Sequence, residues 1–203
     1  MAVLESPTVA AQYAEVDSDN NLYVRSGVPA VPAAGGFYSV AGGPAGIVAA
    51  GLAIDTSLMA MRFSASSTRV AYVTRLLFTM SPATLGAAAG VGGSLALQRF
   101  TTATPTGGTA RTVQESNEAS TATDMTSVQD LATALTVTSV VFGGVVARWR
   151  VPIFTVGAPY VVSIEFDHPI RLTAGDGLCL RTAVAMAATQ TWVFDYAVQW
   201  FEK

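Results

Sequence analysis

The most regular pattern in the chain is a strict apolar alternation close to its C-terminal end. In TWVFDYAVQWFEK, Trp192, Phe194, Tyr196, Val198 and Trp200 recur at every second position. Successive side chains of a strand point to opposite faces, so five large residues in that register predict a strand with one buried face, central in a sheet. YVVSIEFD repeats the period, with Tyr160, Val162, Ile164 and Phe166 set against Val161, Ser163, Glu165 and Asp167. VVARWRV reads as another strand. PIRL and GLCLR flank Thr173 to Asp176, a tight connection at which Gly175 and Gly177 are expected to supply positive φ.

Earlier in the chain, STRVAYVTRLLFTM sets Val70, Tyr72, Leu76 and Phe78 against Arg69, Val73, Arg75 and Leu77, and SLALQRF sets Leu95 and Leu97 against Ala96, Gln98 and Phe100. Between these two strands SPATLGAAAGVGG reads as a loop, because its four glycines and Pro82 all penalise helix. Residues 101–127 form a polar tract, expected to be a long surface excursion. The overlapping TDMTSVQDLATAL predicts the one short helix, capped by Thr126 or Ser127, with Val128, Leu131 and Leu135 at helical spacing.

Residues 1–45 read as an extended arm and linker. AEVDSDNNLYVR places the turn-prone Asp17 to Asn21 between two β-favouring segments, which predicts a hairpin, and SGVPAVPAAGG follows as a linker. Residues 46–203 form the main domain. At least seven short strands with turn-rich connections predict an all-β fold, an antiparallel β-sandwich or jelly roll with an extended N-terminal arm and at most one short helix. The arm has no sequence-local core for its aromatic and apolar groups. That makes Tyr13, Leu22, Tyr23, Val24, Arg25, Phe37 and Tyr38 the candidate protein-interface residues, packing on their own domain being the competing reading.

Composition sharpens this picture. The 203 residues allow one domain with an arm. They are 51% hydrophobic but only 12% charged, about half the charge of an ordinary soluble domain, so much of the surface is expected to meet other protein. Ten arginines and the single Lys203 stand against 14 acids, a net charge of −3, with no clustered positive footprint. No nucleic-acid partner is therefore expected. Cys179 is the only cysteine and cannot close an intrachain disulfide. The N-terminus lacks the basic start and apolar run of a signal peptide. The uncharged stretches Ser26–Ile54 and Leu76–Gln98 are interrupted by glycine and proline, so no membrane span is expected.

Candidate chemistry is sparse. His168, beside Asp167, is the single histidine, and its use as a general base with Cys179 or a serine would need a nucleophile motif such as G-x-S-x-G. A histidine that hydrogen-bonds a bend before Pro169 is the simpler reading. Zinc takes three or four His, Cys or carboxylate ligands, and one histidine and one cysteine do not supply them. Asp17, Asp19, Asn20 and Asn21 lack the glycine and terminal glutamate of a calcium loop and read as a turn. GGPAG and GAAAGVGG lack the lysine of a phosphate loop. Glu115 and Glu118 read as solvated acids rather than a glycosidase pair. The expectation is a protein that is not an enzyme, with no catalytic, metal or cofactor site.

HPIRLTAGDGLCLR and TQTWVFDYAVQWFEK, taken with AEVDSDNNLYVR and GGFYSV, resemble structural proteins of tailed bacteriophages, specifically the capsid cement, decoration or auxiliary head proteins with a jelly-roll-like β-sandwich. The likeness covers the two ends of the chain. The pattern P-I-x-L-x-x-G-D-x-L-x-L also resembles the trimeric jelly rolls of the C1q and tumour-necrosis-factor type. The phage resemblance implies a non-enzymatic virion protein on the capsid surface, assembled in the host cytoplasm. It would bind the major capsid protein and itself, as trimers rather than dimers, and bridge capsid subunits. The alternative is a tail- or fibre-associated module that recognises a host receptor or another tail protein, with the polar tract 101–127 as its recognition loop.

Overall fold

The computed structural model describes residues 13–16, 22–25, 35–43, 52–84, 93–101, 104–116, 122–131, 135–137, 141–151, 159–186 and 191–203. The chain divides into two compact units, Met1–Ala34 and Gly35–Lys203.

In the first unit β1 (Tyr13–Val16) and β2 (Leu22–Arg25) pair antiparallel, Tyr13 opposite Arg25 and Val16 opposite Leu22. This is the hairpin that the sequence predicts; its turn, Asp17 to Asn21, lies outside the described residues.

The second unit is a sandwich of two antiparallel sheets. Its strands are β3 (Phe37–Gly42), β4 (Ser57–Phe63), β5 (Ala71–Thr84), β6 (Gly93–Thr101), β7 (Thr109–Ala110), β8 (Gln114–Glu115), β9 (Met125–Asp130), β10 (Val141–Val151), β11 (Tyr160–Leu172), β12 (Asp176–Thr182) and β13 (Thr191–Glu202). One sheet has the order β10-β6-β12-β4-β9-β7 and the other β11-β5-β13-β3-β8. Eight of these strands follow jelly-roll connectivity, β11-β5-β13-β3 packed on β10-β6-β12-β4. The insertion between β6 and β10 supplies β7, β8 and β9, which extend both sheets beyond β3 and β4. Among the described residues there is no helix, and no helix is long and apolar enough to cross a membrane.

The core is centred where the alternation is strictest. Trp192, Phe194, Tyr196, Val198 and Trp200 are all buried, and β13 lies inside its sheet between β5 and β3. Met59, Met61 and Phe63 from β4, Leu95 and Leu97 from β6, and Leu178 and Leu180 from β12 complete the same core.

Four expectations are corrected. The sandwich begins at Gly35 rather than at residue 46, because Phe37–Gly42 pairs with β13 and buries Tyr38 and Val40 at period two. The expected helix is the strand β9, whose Val128 lies opposite Met61 of β4. Thr126, Ser127 and Val128 are indifferent helix formers, and pairing against a buried strand decides their conformation. In β5 the alternation changes phase at Thr74, an extra residue between the positions facing Trp200 and Gln199. Ala71 and Val73 are therefore buried before this bulge and Leu76, Phe78 and Met80 after it, whereas Val70 and Tyr72 are only half-buried.

The fourth correction concerns Gly177, whose backbone does not have positive φ; only Gly107 and Gly175 do among the described glycines. The turn before β12 is set by Gly175, at φ 80°, and by Asp176. The Asp176 N–H donates to the Thr173 carbonyl at 2.9 Å, and its Oδ2 accepts from the Thr173 N–H at 2.8 Å and hydroxyl at 2.7 Å. Arg99 closes on the same oxygen at 3.0 Å.

Candidate interaction surface

The outer face of the five-stranded sheet carries a row of residues set by register. Phe37 lies opposite Phe201, Phe201 opposite Tyr72, and Tyr72 opposite Arg171, so β3, β13, β5 and β11 each contribute one member. Directly opposed residues share a face. Their chain neighbours Tyr38, Trp200, Val73 and Leu172 are buried on the inner side, which places the row outside. Phe37, Tyr72 and Phe201 are half-buried, and Arg171 and Lys203 are exposed.

The rings are in contact. Tyr72 and Phe201 stack with centroids 5.0 Å apart and planes 10° from parallel, and Phe37 tilts against Phe201 at 5.8 Å. The Lys203 ammonium lies 4.8 Å from the Tyr72 centroid and 5.9 Å from that of Phe201. This is cation–π range. Pre-ordered aromatic rings beside two cations offer apolar area and hydrogen-bond donors together, the composition that concentrates binding energy at protein interfaces. No chemistry of bond making is implied by it.

Beneath the row the sheet is fixed by polar contacts. Tyr38 stacks on Trp200 at 5.8 Å, and the Trp200 indole donates to the buried Glu202 carboxylate at 3.1 Å. Arg69 reaches Glu202 at 3.2 Å and Asp124 at 2.6 Å. The hydrogen bond from Arg69 holds the Asp124 carboxyl below its usual range, and that same bond raises the Arg69 guanidinium. At another point Arg111 donates to the fully buried Asp130 of β9 at 2.6 Å and also bonds the Gly43 carbonyl after β3, tying one sheet to the other.

Of the seven interface candidates, Tyr13, Leu22, Tyr23, Val24 and Arg25 fall in the β1–β2 ribbon. Phe37 belongs to the aromatic row. Tyr38 is corrected: it is 1% exposed and stacked on Trp200, so it is core, because the period of β3 turns it inward. Arg171 and two rings of the row, Tyr72 and Phe201, are what sequence reasoning missed. Tyr72 and Phe201 are aromatic, but the bulge at Thr74 hid the outward phase of Tyr72.

The residues weighed for catalysis are not brought together. His168 is exposed in Phe166–Pro169, where the pairing of β11 with β5 is interrupted, whereas Cys179 is fully buried in β12 of the other sheet. The Cys179 thiol lies 3.4 Å from the Ser57 hydroxyl, and burial pushes it up to about 11, away from nucleophilic reactivity. Among the described residues no group of three or more His, Cys, Asp or Glu could hold a metal ion. The polar tract is strapped down where it is described: β7 pairs with β9, and β8 with β3. Comparison with protein-family models, curated proteins and solved structures gives no match.

Proposed function

We propose that this chain is a virion structural protein, a cement or decoration protein that binds the major capsid protein at the surface of a tailed-phage head and stabilises the shell by bridging subunits. The observation that carries the reading is the row Phe37–Phe201–Tyr72, half-exposed on the outer face of the jelly roll and flanked by Arg171 and Lys203. Large aromatic side chains bury about 150–250 Å² each when covered, and a stable contact needs more than about 1,000 Å² in all. The row supplies the apolar centre of such a contact and the two cations its rim.

The test is cosedimentation of the full chain with empty capsid shells. Saturable binding is expected, with affinity at least tenfold weaker for Tyr72→Ser combined with Arg171→Glu, and shells that carry the wild-type chain withstand more heat and osmotic shock than bare ones. Bare and decorated shells of equal resistance would overturn the stabilising role. A chain that ignores shells but binds host cells would instead be a tail-associated module.

A further inference from the structure

The two flanks of the sandwich are built differently. On one, β7 and β8 are two residues each. Only Arg111–Val113 separate them, a span of about 10 Å that matches the spacing of packed sheets, so these short strands close the same flank. At the opposite flank lie the outer edges of β10 and β11, of 11 and 13 residues, with which no strand pairs among the described residues. Long unpaired edges are templates for another strand.

This open flank also carries apolar surface. Val145, Val146 and Val161, exposed by 42%, 37% and 56%, are three of the five exposed large apolar residues among those described. Between the two edges, Trp149 of β10 and Tyr160 and Phe166 of β11 pack on the core while staying half-buried. The seam between the sheets is thus lined by aromatic rings that stay half-buried.

Charge identifies the occupant. Arg148 and Arg150 lie opposite Ala96 and Ser94, flank the core-facing Trp149 and are exposed on the outer side of β10. On β11 the exposed charges nearest the regular stretch are Glu165 and Asp167; Glu165 also meets Arg75 at 3.8 Å yet stays 79% exposed. One edge therefore carries two cations and its neighbour two carboxylates near its regular stretch, with Arg171 beyond the bulge. Register shifts between Phe142 and Ala147 and at Phe166–Pro169 leave two regular stretches of similar length, Ala147–Val151 and Tyr160–Glu165.

Strand direction completes the argument. β10 and β12 are both antiparallel to β6, and β11 reverses into β12 through the Thr173–Asp176 turn, so β10 and β11 run oppositely. A two-fold axis along the strands sets β10 of one copy antiparallel to β11 of another, and reciprocally β11 to β10. The edge that carries Arg148 and Arg150 then meets the edge that carries Glu165 and Asp167 at both junctions. We infer that the β10–β11 flank is a self-association surface whose partner is a second copy of this chain, joined by edge-to-edge pairing into a two-fold dimer with sheets continuous across the junction. The inference deepens the structural-protein reading by fixing the unit that binds the shell as a dimer, in place of the trimer that the resemblance implies.

Sedimentation equilibrium of the full chain tests it. The wild type is expected at twice the 21.0 kDa chain mass. Arg148→Glu with Arg150→Glu, and separately Glu165→Arg with Asp167→Arg, are each expected at once that mass, with the circular dichroism of the wild type and a thermal midpoint that, unlike that of the wild type, does not rise with protein concentration. Mixing the two variants is expected to restore the dimer, because each then meets its complement at both junctions. A wild-type monomer or trimer, variants that remain dimeric, or a mixture that stays monomeric would overturn the inference. Capsid binding is measured in parallel: a dimer that ignores shells ends the cement reading and leaves the flank standing, whereas a monomer that binds shells does the reverse.

Discussion

Trp200 and Glu202, two positions apart on the inner face of β13, are joined by an indole N–H that donates to the carboxylate at 3.1 Å. Glu202 is fully buried, and its oxygens also accept from the Asp124 backbone N–H at 3.0 Å and from the Thr123 hydroxyl, with Arg69 at 3.2 Å. A buried carboxylate is tolerated only when paired and hydrogen-bonded, and this one is both. It pins the end of the last strand to residues 122–124 and to the approach to β5. Glu202→Ala leaves the indole and the guanidinium short of an acceptor, and a loss of about 3 kcal/mol is expected. Urea unfolding at neutral pH reads it; a loss below about 0.5 kcal/mol would show that water replaces the carboxylate.

Asp124 makes the same corner sensitive to acid. Its carboxyl is held below the ordinary aspartate value, first by the Arg69 hydrogen bond and then by the Ser67 hydroxyl, against the opposing effect of burial. A carboxyl depressed in the folded state contributes stability above its unfolded value, about 3.9, and loses that contribution as pH falls through the lower folded value. Stability is therefore expected to decline below about pH 4. In Asp124→Asn that part of the decline disappears, as urea midpoints at pH 3 and pH 6 would record.

Cys179 acts at the other end of the scale. Burial raises its thiol to about 11, with Ser57 and Arg181 pulling weakly the other way. An unfolded thiol ionises near about 8.5, so this group stabilises the fold in full below that pH and its contribution is lost as pH rises towards the folded value. The expected slope approaches about 1.4 kcal/mol per pH unit between those limits. Cys179→Ala should remove it. A thiol reagent at pH 8 should label no native chain and one site per chain in denaturant; rapid native labelling would contradict the burial.

How much of this was legible in the sequence follows from which forces act locally. The period of β13 and the first half of β11 could be read directly, because each residue's face depends only on its parity. The bulge at Thr74 could not, since an extra residue is identified by the partner strand and not by its own side chain. β9 was hidden for the same reason: Val128, Leu131 and Leu135 fit a helix as spacing, and only the open edge of β4 makes a strand the better state. The aromatic row needs three long-range pairings to exist. From the sequence, Phe37 and Tyr38 looked alike; register makes one outward and the other core.

The pairing of Gly177 with Phe100 carries the last prediction. The two lie opposite each other in β12 and β6, and a Cβ built on Gly177 would come within 2.2–2.6 Å of three atoms of the Phe100 ring. The ring is fully buried and cannot swing aside into solvent. The glycine is thus required for space rather than for φ, which a conformational reading of AGDGL misses. Gly177→Ala overpacks the site, and a loss of about 1–3 kcal/mol is expected. Phe100→Ala alone opens a cavity and costs about 3–5 kcal/mol. The two changes together should cost less than their sum, because the added methyl then enters the space that the ring has left. A double-mutant cycle by urea unfolding measures the coupling, and strict additivity would show that the ring and the glycine do not meet.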